Sequence, residues 1–436
     1  MKFSLSKYIL PAVISMVLVG TYTNIDGLFI GNTTGDDGLA AINIAWPIVA
    51  FITSVGTGIG VGGSVVINDL RGKGNAREAE RRKRTSLALL AAAGMIVTLL
   101  SLLVYKPLLK TMGAEERVFS YACNYAVVIS AGAFLQIAGA GLTVLLRNDG
   151  KTVASMLYTA LGLCVHMALD FCTVKKYALY GVALSTVISQ GVVFVCCLIT
   201  LKVKSEKAEE NSEESARKFS FSGAKEILSA SVAPFGINFV PSATLLFTNY
   251  FALKFGGTAA VSAYAVMSYA VYTFDYVFQG VCDGIQPVIS YQNGAGDKIG
   301  KRKTIKTAVW ILIGIAATFS ALTPAMIAFL PKMFDVSSVA EEMMKAGLKI
   351  YALSYVLKAA VKFICAYCYS VRQKVTSDIL TYLDPVVFTP LFLFVLSSVA
   401  GLNGVWWSVV CAQAAVCVAA AVIFAVRRKC KNVGKP

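Results

Sequence analysis

The 436-residue chain is 57% hydrophobic and 15% charged, with a mean hydropathy of +0.68, too apolar and too poor in charge for an ordinary soluble domain. Its formal net charge of +16 comes from basic residues gathered in short loops between apolar runs. That pattern argues against a nucleic-acid-binding face and for a multi-pass membrane protein whose positive loops face the cytoplasm.

Lys2 and Lys7 precede a long apolar run without a small-residue cleavage site, so a retained first span is expected rather than a signal peptide. Apolar segments long enough for a hydrocarbon layer of roughly 30 Å fall near 8–30, 39–68, 85–105, 119–146, 153–174 and 178–201. A charged linker, 202–226, follows. Six more spans are expected near 227–253, 258–290, 305–330, 342–371, 376–400 and 402–426, ahead of a basic tail. The organisation is thus 1–201, a first six-helix bundle; 202–226, a linker; and 227–436, a second bundle with its tail.

The two halves are copies. Gly35, Gly58, Gly62, Gly72 and Gly74 recur 222 positions later as Gly257, Gly280, Gly284, Gly294 and Gly296, with no gap needed. In each copy an apolar run ends in a basic segment, NDLRGKGNAREAERRKR in the first and YQNGAGDKIGKRK in the second. Loops on that side carry Arg71, Lys73, Arg77, Arg147, Lys151, Arg372 and Lys374, whereas the other side has scattered cations and Asp36 and Asp37. Both termini and the linker are therefore expected in the cytoplasm. An even number of spans per half makes the repeats parallel, related by a pseudo-two-fold axis along the membrane normal. Pro11, Pro47, Pro234, Pro241 and Pro287 lie inside spans, where proline frees a carbonyl and permits a bend, as a gate or as a tolerated kink.

Ionisable residues inside spans are costly and so become functional candidates. Asp26 lies in the first span; His166 and Asp170 share a face of the fifth, four residues apart. Two carboxylates from different helices can bind Na⁺ or share a proton, because their mutual repulsion disfavours both being charged. His166, the one histidine of the chain, either carries that proton or is a satisfied core residue. Asp275 and Asp283 lie two turns apart in the eighth span, and Lys358 and Lys362 four apart in the tenth. These lysines either neutralise the acids or make the second cavity basic. Asp384 reads as a polar residue near the cytoplasmic end of its span. Tyr264, Tyr269, Tyr272, Tyr276, Tyr351 and Tyr355 form aromatic faces suited to flat or cationic ligands, or to helix packing.

Enzyme signatures are missing. GTGIGVGG lies within an apolar span, not between a strand and a helix, and there is no Walker lysine motif or HExxH. Cys365 and Cys368 form a CxxC without a second pair to complete a metal site. No catalytic residue and no cofactor are expected.

The chain resembles the MATE family of multidrug and toxic compound extrusion transporters, in its bacterial branch. IDGLFIG at 25–31, GLAAINIAWPI at 38–48, RGKGNAREAER at 71–81, ALD at 168–170, GVALSTVIS at 181–189 and QGVCDGIQPVISYQNGAGD at 279–297 carry the likeness over nearly the whole chain. The resemblance implies an all-α fold of twelve spans in two six-helix bundles around a central cavity, in a bacterial cytoplasmic membrane. It also implies export of organic, cationic, drug-like compounds in exchange for Na⁺ or H⁺. Asp26 and Asp170 match the family's first-half cation site, the pair that would hold Na⁺, with Thr186 as a nearby hydroxyl; Asp283 matches the acid of the eighth-span motif. A substrate cavity is expected at Asp275, Asp283, Tyr276, Lys358 and Lys362. His166 stands where many members have Asn, Phe171 where Pro is common, and NFVPSAT at 238–244 lacks the seventh-span glutamate of one branch. The alternatives are an export flippase for an anionic or lipid-linked substrate, and a non-transporting receptor or scaffold. The expected partners are a small organic substrate and the bilayer, with the protein a monomer.

Overall fold

The computed structural model describes residues 4–114, 116–209, 221–334 and 337–433, almost all helical and without a strand among them. Residues 210–220 of the linker and 434–436 of the tail lie outside the described residues, as does the side chain of Tyr269.

The first element, α1 (Ser6–Gly72), is 67 residues of unbroken helical assignment, which drawn straight would span about 100 Å. Its ends nevertheless meet one loop: Thr152 Oγ1 donates to Lys7 O at 2.6 Å, and Arg71 Nη2 to Asp149 Oδ1 at 2.7 Å. The chain therefore doubles back within α1, between the apolar spans Ser6–Gly27 and Asp37–Gly72. After α2 (Ala76–Thr111), the helices α3 (Glu116–Ala131) and α4 (Ala133–Asn148) meet at a 57° bend and make one span. The long helices α5 (Thr152–Glu209), α6 (Phe221–Gly294) and α10 (Thr389–Val433) each reverse at one residue with positive φ, at Ala178, Gly257 and Gly401. With α7 (Lys298–Phe334), α8 (Ser338–Ser370) and α9 (Lys374–Leu383), which runs through a π-helical turn at Asp384–Phe388 into α10, the twelve expected spans are present. α5 continues past the expected span end at 201, because Lys, Glu and Ala favour the helix there.

Backbone geometry repeats with the glycines. Gly74 and Gly296, 222 apart, both have φ in the left-handed region, and so do Gly150 and Arg372. The next helices begin alike: Asn75 Oδ1 caps Glu78 N, and Asp297 Oδ1 caps Gly300 N. Arg372 keeps a conformation that costs a side-chain-bearing residue about 1 kcal/mol.

One apolar core lies within the first half, around Ile52, Tyr125, Ile137 and Leu145, and another within the second, around Phe278, Tyr355 and Trp406. Large apolar side chains such as Leu103, Phe171, Trp310 and Val399 cover the periphery, where lipid would solvate them. A third cluster joins Val61, Val65 and Val144 to Cys282, Ala366 and Tyr369 across the halves.

The halves touch along α1 and α6, at the end that bears the basic loops. A Cβ on Gly72 would strike the backbone of Tyr291, and one on Gly294 the backbone of Asp69, so only glycine permits this approach. Ser64 Oγ lies 2.9 Å from both Asn148 Oδ1 and Gln286 Oε1. At the rim Asp69 accepts from Arg372 (3.1 Å) and Asn293 (3.3 Å), Arg372 also pairs with Glu226, and Arg82 reaches Glu226 at 2.9 Å. Within the first half, buried Asp149 receives Lys83 at 2.6 Å and Arg71 at 2.7 Å. Burial pushes its carboxyl upward, but the two cations outweigh this and hold it below the usual carboxylate range.

Candidate functional site

In the first bundle α1 and α5 bring three ionisable groups together. His166 and Asp170 sit one helical turn apart on α5, facing Asp26 on α1. His166 Nε2 is 2.6 Å from Asp26 Oδ1 and 3.1 Å from Asp170 Oδ2. His166 and Asp170 are fully buried and Asp26 is 7% exposed. One imidazole nitrogen thus bridges two carboxylates, in the place a cation shared by the acids would take. His166 Nδ1 and both carboxylate oxygens of Asp170 have no hydrogen-bond partner among the described residues, so the approach of Nε2 to Asp170 is an ion-pair contact only. The Tyr22 ring covers the imidazole, with centroids 4.8 Å apart.

The three side chains form the one His/Cys/Asp/Glu cluster of ion-binding geometry among the described residues, their ligand atoms lying within 4.8 Å of one another. Carboxylate oxygens are ligands that suit Na⁺, and the imidazole between them is a group that can donate or accept a proton. Thr186, expected nearby, spends its hydroxyl on Val182 O (3.0 Å) and makes no hydrogen bond to the three.

The second bundle holds a partly open cavity of ≈ 110 Å³ lined by Asp275, Lys358, Lys362, Asp384, Tyr264 and Tyr272, among others. Lys362 Nζ pairs with Asp275 Oδ2 at 2.9 Å and lies 3.4 Å from Gln279 Oε1. Lys358, one turn earlier on α8, stands 6.0 Å from the Tyr351 ring centroid. Asp384 accepts from Thr389 Oγ1 (2.8 Å) and Gln413 Nε2 (2.5 Å). Its expected place at the end of a span is corrected: the π-helical turn that opens at Asp384 sets it among the cavity-lining groups.

Two other expectations change. Asp283 does not line this cavity and is paired with neither lysine; Arg147 of the first half reaches it at 3.0 Å, with both side chains nearly inaccessible, and Gln279 Nε2 donates to its other oxygen at 2.8 Å. Arg147, read above as a loop cation, is instead the buried end of α4. Tyr276 is not among the lining residues either: its ring lies against Gly20 of the first half. The buried cysteines of the CxxC are free thiols.

A family model described as MatE matches residues 11–172 and 235–380, most of the chain. The chain belongs to the MatE family. Its relatives are transporters, not enzymes. The multidrug export protein MepA of Staphylococcus aureus (strain MRSA252) is 24% identical over 423 residues, covering 96% of this MatE chain and 92% of MepA. The Staphylococcus saprophyticus MepA is 24% identical over 427 residues, covering 98% and 94%. A Pyrococcus furiosus transporter of the MOP superfamily, described as having a binding pocket of reverse polarity, superposes with a TM-score of 0.88 at 21% identity, covering 97% of this chain and 95% of its own. An outward-facing multidrug resistance MATE transporter superposes equally well, TM-score 0.88 at 22% identity, over 97% and 95%. The fold of two six-helix bundles is common to them.

Proposed function

We infer that the protein exports small organic compounds across a bacterial cytoplasmic membrane in exchange for protons, by alternating access of a cleft between its two bundles. The observation that carries this is His166 Nε2 seated between Asp26 and Asp170 in the buried interior of the first bundle. Protonation there changes the charge of a buried cluster, and a site that differs in charge between two bundle arrangements biases one over the other. The matches to multidrug export proteins support export of drug-like compounds. With the basic loops placed in the cytoplasm, contacts such as Asp69 to Arg372 and Arg147 to Asp283 close that side, so this arrangement is the outward-open one.

A second reading, export of an anionic or lipid-linked compound, is favoured by one observation. The second-bundle cavity holds two lysines against two aspartates and so offers no net negative charge to an organic cation.

Efflux of an ethidium-like dye from proteoliposomes, under a pH gradient or a Na⁺ gradient alone, tests the coupling. Dye movement is expected with the pH gradient and is expected to be lost in Asp170→Asn. Movement driven by Na⁺ at clamped pH would overturn the proton reading, and dye movement unchanged by Asp170→Asn would overturn the site.

A further inference from the structure

The four charges of the second-bundle cavity are not arranged as two ion pairs. Lys362 and Asp275 are in direct contact at 2.9 Å and satisfy each other. Lys358 makes no direct ion pair among the described residues; it stands over the face of Tyr351, and Asp275 and Asp384 act on it only from a distance across the cavity. Asp384 is likewise without a cation in contact, and each of its oxygens accepts one hydrogen bond from a neutral group, Thr389 or Gln413. A carboxylate has about four lone-pair sites, so Asp384 can accept further donors from the cavity. A cation and an anion that share one cavity without touching leave a gap that a molecule carrying both charges would close.

Local structure fits that role. The π-helical turn at Asp384–Phe388, with Pro385 inside it, breaks the regular ladder of the eleventh span at the acid, and such turns occur at functional positions. Lys358 and Lys362 are one turn apart on α8, so the paired lysine fixes the face on which the unpaired one stands.

We propose that the second bundle contains its own ligand site, for a small zwitterion or a zwitterionic head group, with its carboxylate on Lys358 and its ammonium on Asp384 between the rings of Tyr264 and Tyr272. The site names a substrate class for the exporter inferred above and rests on that reading only for the direction of movement. Binding itself needs no gradient, so the two fail separately.

The test uses purified full-length protein in detergent and three probes of one size: 4-aminobutyrate, butyrate and butylamine. Thermal stabilisation titrated with each gives an affinity. 4-Aminobutyrate is expected to bind at least about tenfold more tightly than butyrate or butylamine, one charged contact being worth that much. Lys358→Met is expected to remove the preference over butylamine while Lys358→Arg keeps it, and Asp384→Asn to remove the preference over butyrate. No stabilisation by any probe, equal stabilisation by all three, or an unchanged preference in Lys358→Met would overturn the proposal. Should Lys358→Met misfold, an altered preference in Lys358→Gln against the retained one in Lys358→Arg decides the same point.

Discussion

Ser64 Oγ lies 2.9 Å from Gln286 Oε1, and these residues are 222 positions apart, the same position in the two copies. Their contact places the pseudo-two-fold axis between α1 and α6, where Gly72 also meets Gly294, again 222 apart. Closure of the basic end depends on the backbones meeting there. Gly294→Ala is expected to hold that end apart and to destabilise this arrangement by about 1–3 kcal/mol, since the backbone of Asp69 cannot move as a side chain would. Alkylation of Cys282, buried at the junction of the halves, should rise, read peptide by peptide in a mass spectrometer. Unchanged labelling would remove the glycine contact from the closure.

Arg147 and Asp283 bind the halves more deeply. Asp283→Asn leaves a buried guanidinium without a counter-charge and is expected to cost about 3 kcal/mol, seen as a lower unfolding temperature in detergent. Replacing both, Arg147→Met with Asp283→Leu, should recover most of the loss, because no charge is then stranded. Wild-type unfolding of Asp283→Asn would show that the pair is not formed in solution.

His166 separates proton from sodium coupling. His166→Gln keeps a polar group between the carboxylates and removes the imidazole that can hold a proton between them. Transport driven by a pH gradient is expected to fall at least about tenfold, the scale of one lost proton carrier. Retained pH-driven transport would assign the proton to the carboxylates alone.

Asp149 predicts an acid limb of stability. Its folded pKa lies below the ordinary value, so its pairs with Lys83 and Arg71 contribute fully above the unfolded pKa of about 3.9. The contribution is lost as pH falls through the folded value. Wild type and Asp149→Asn should therefore differ most in unfolding temperature at neutral pH and draw together as pH falls from about 4 through the folded value. A difference that persists undiminished in acid would place the effect in packing.

Much of this was legible without coordinates. Span lengths and the glycine repeat predict the twelve helices, because hydropathy and backbone approach are local properties of the chain. Asp26, His166 and Asp170 stand out as charges in apolar runs, and their four-residue spacing puts two of them on one face. Arg147 escapes notice because it ends an apolar run beside Asn148 and Asp149, as loop cations do; its burial follows from Asp283, 136 positions away. Asp384 escapes because span ends are counted on regular α-helix, and a π-helical turn begins at that residue. Long-range pairing and broken helical register leave little trace in a hydropathy pattern.

Contact through equivalent residues is how identical subunits meet in a two-fold dimer, where any side chain that changes must change twice. A single chain containing both copies is free of that restriction. Arg372 can occupy the left-handed turn that glycine holds at position 150, and one copy can carry an acid–imidazole–acid cluster while the other carries lysines. Joining the halves in one polypeptide thus permits two chemically different polar clusters, one in each bundle, that a symmetric pair of separate chains could not maintain.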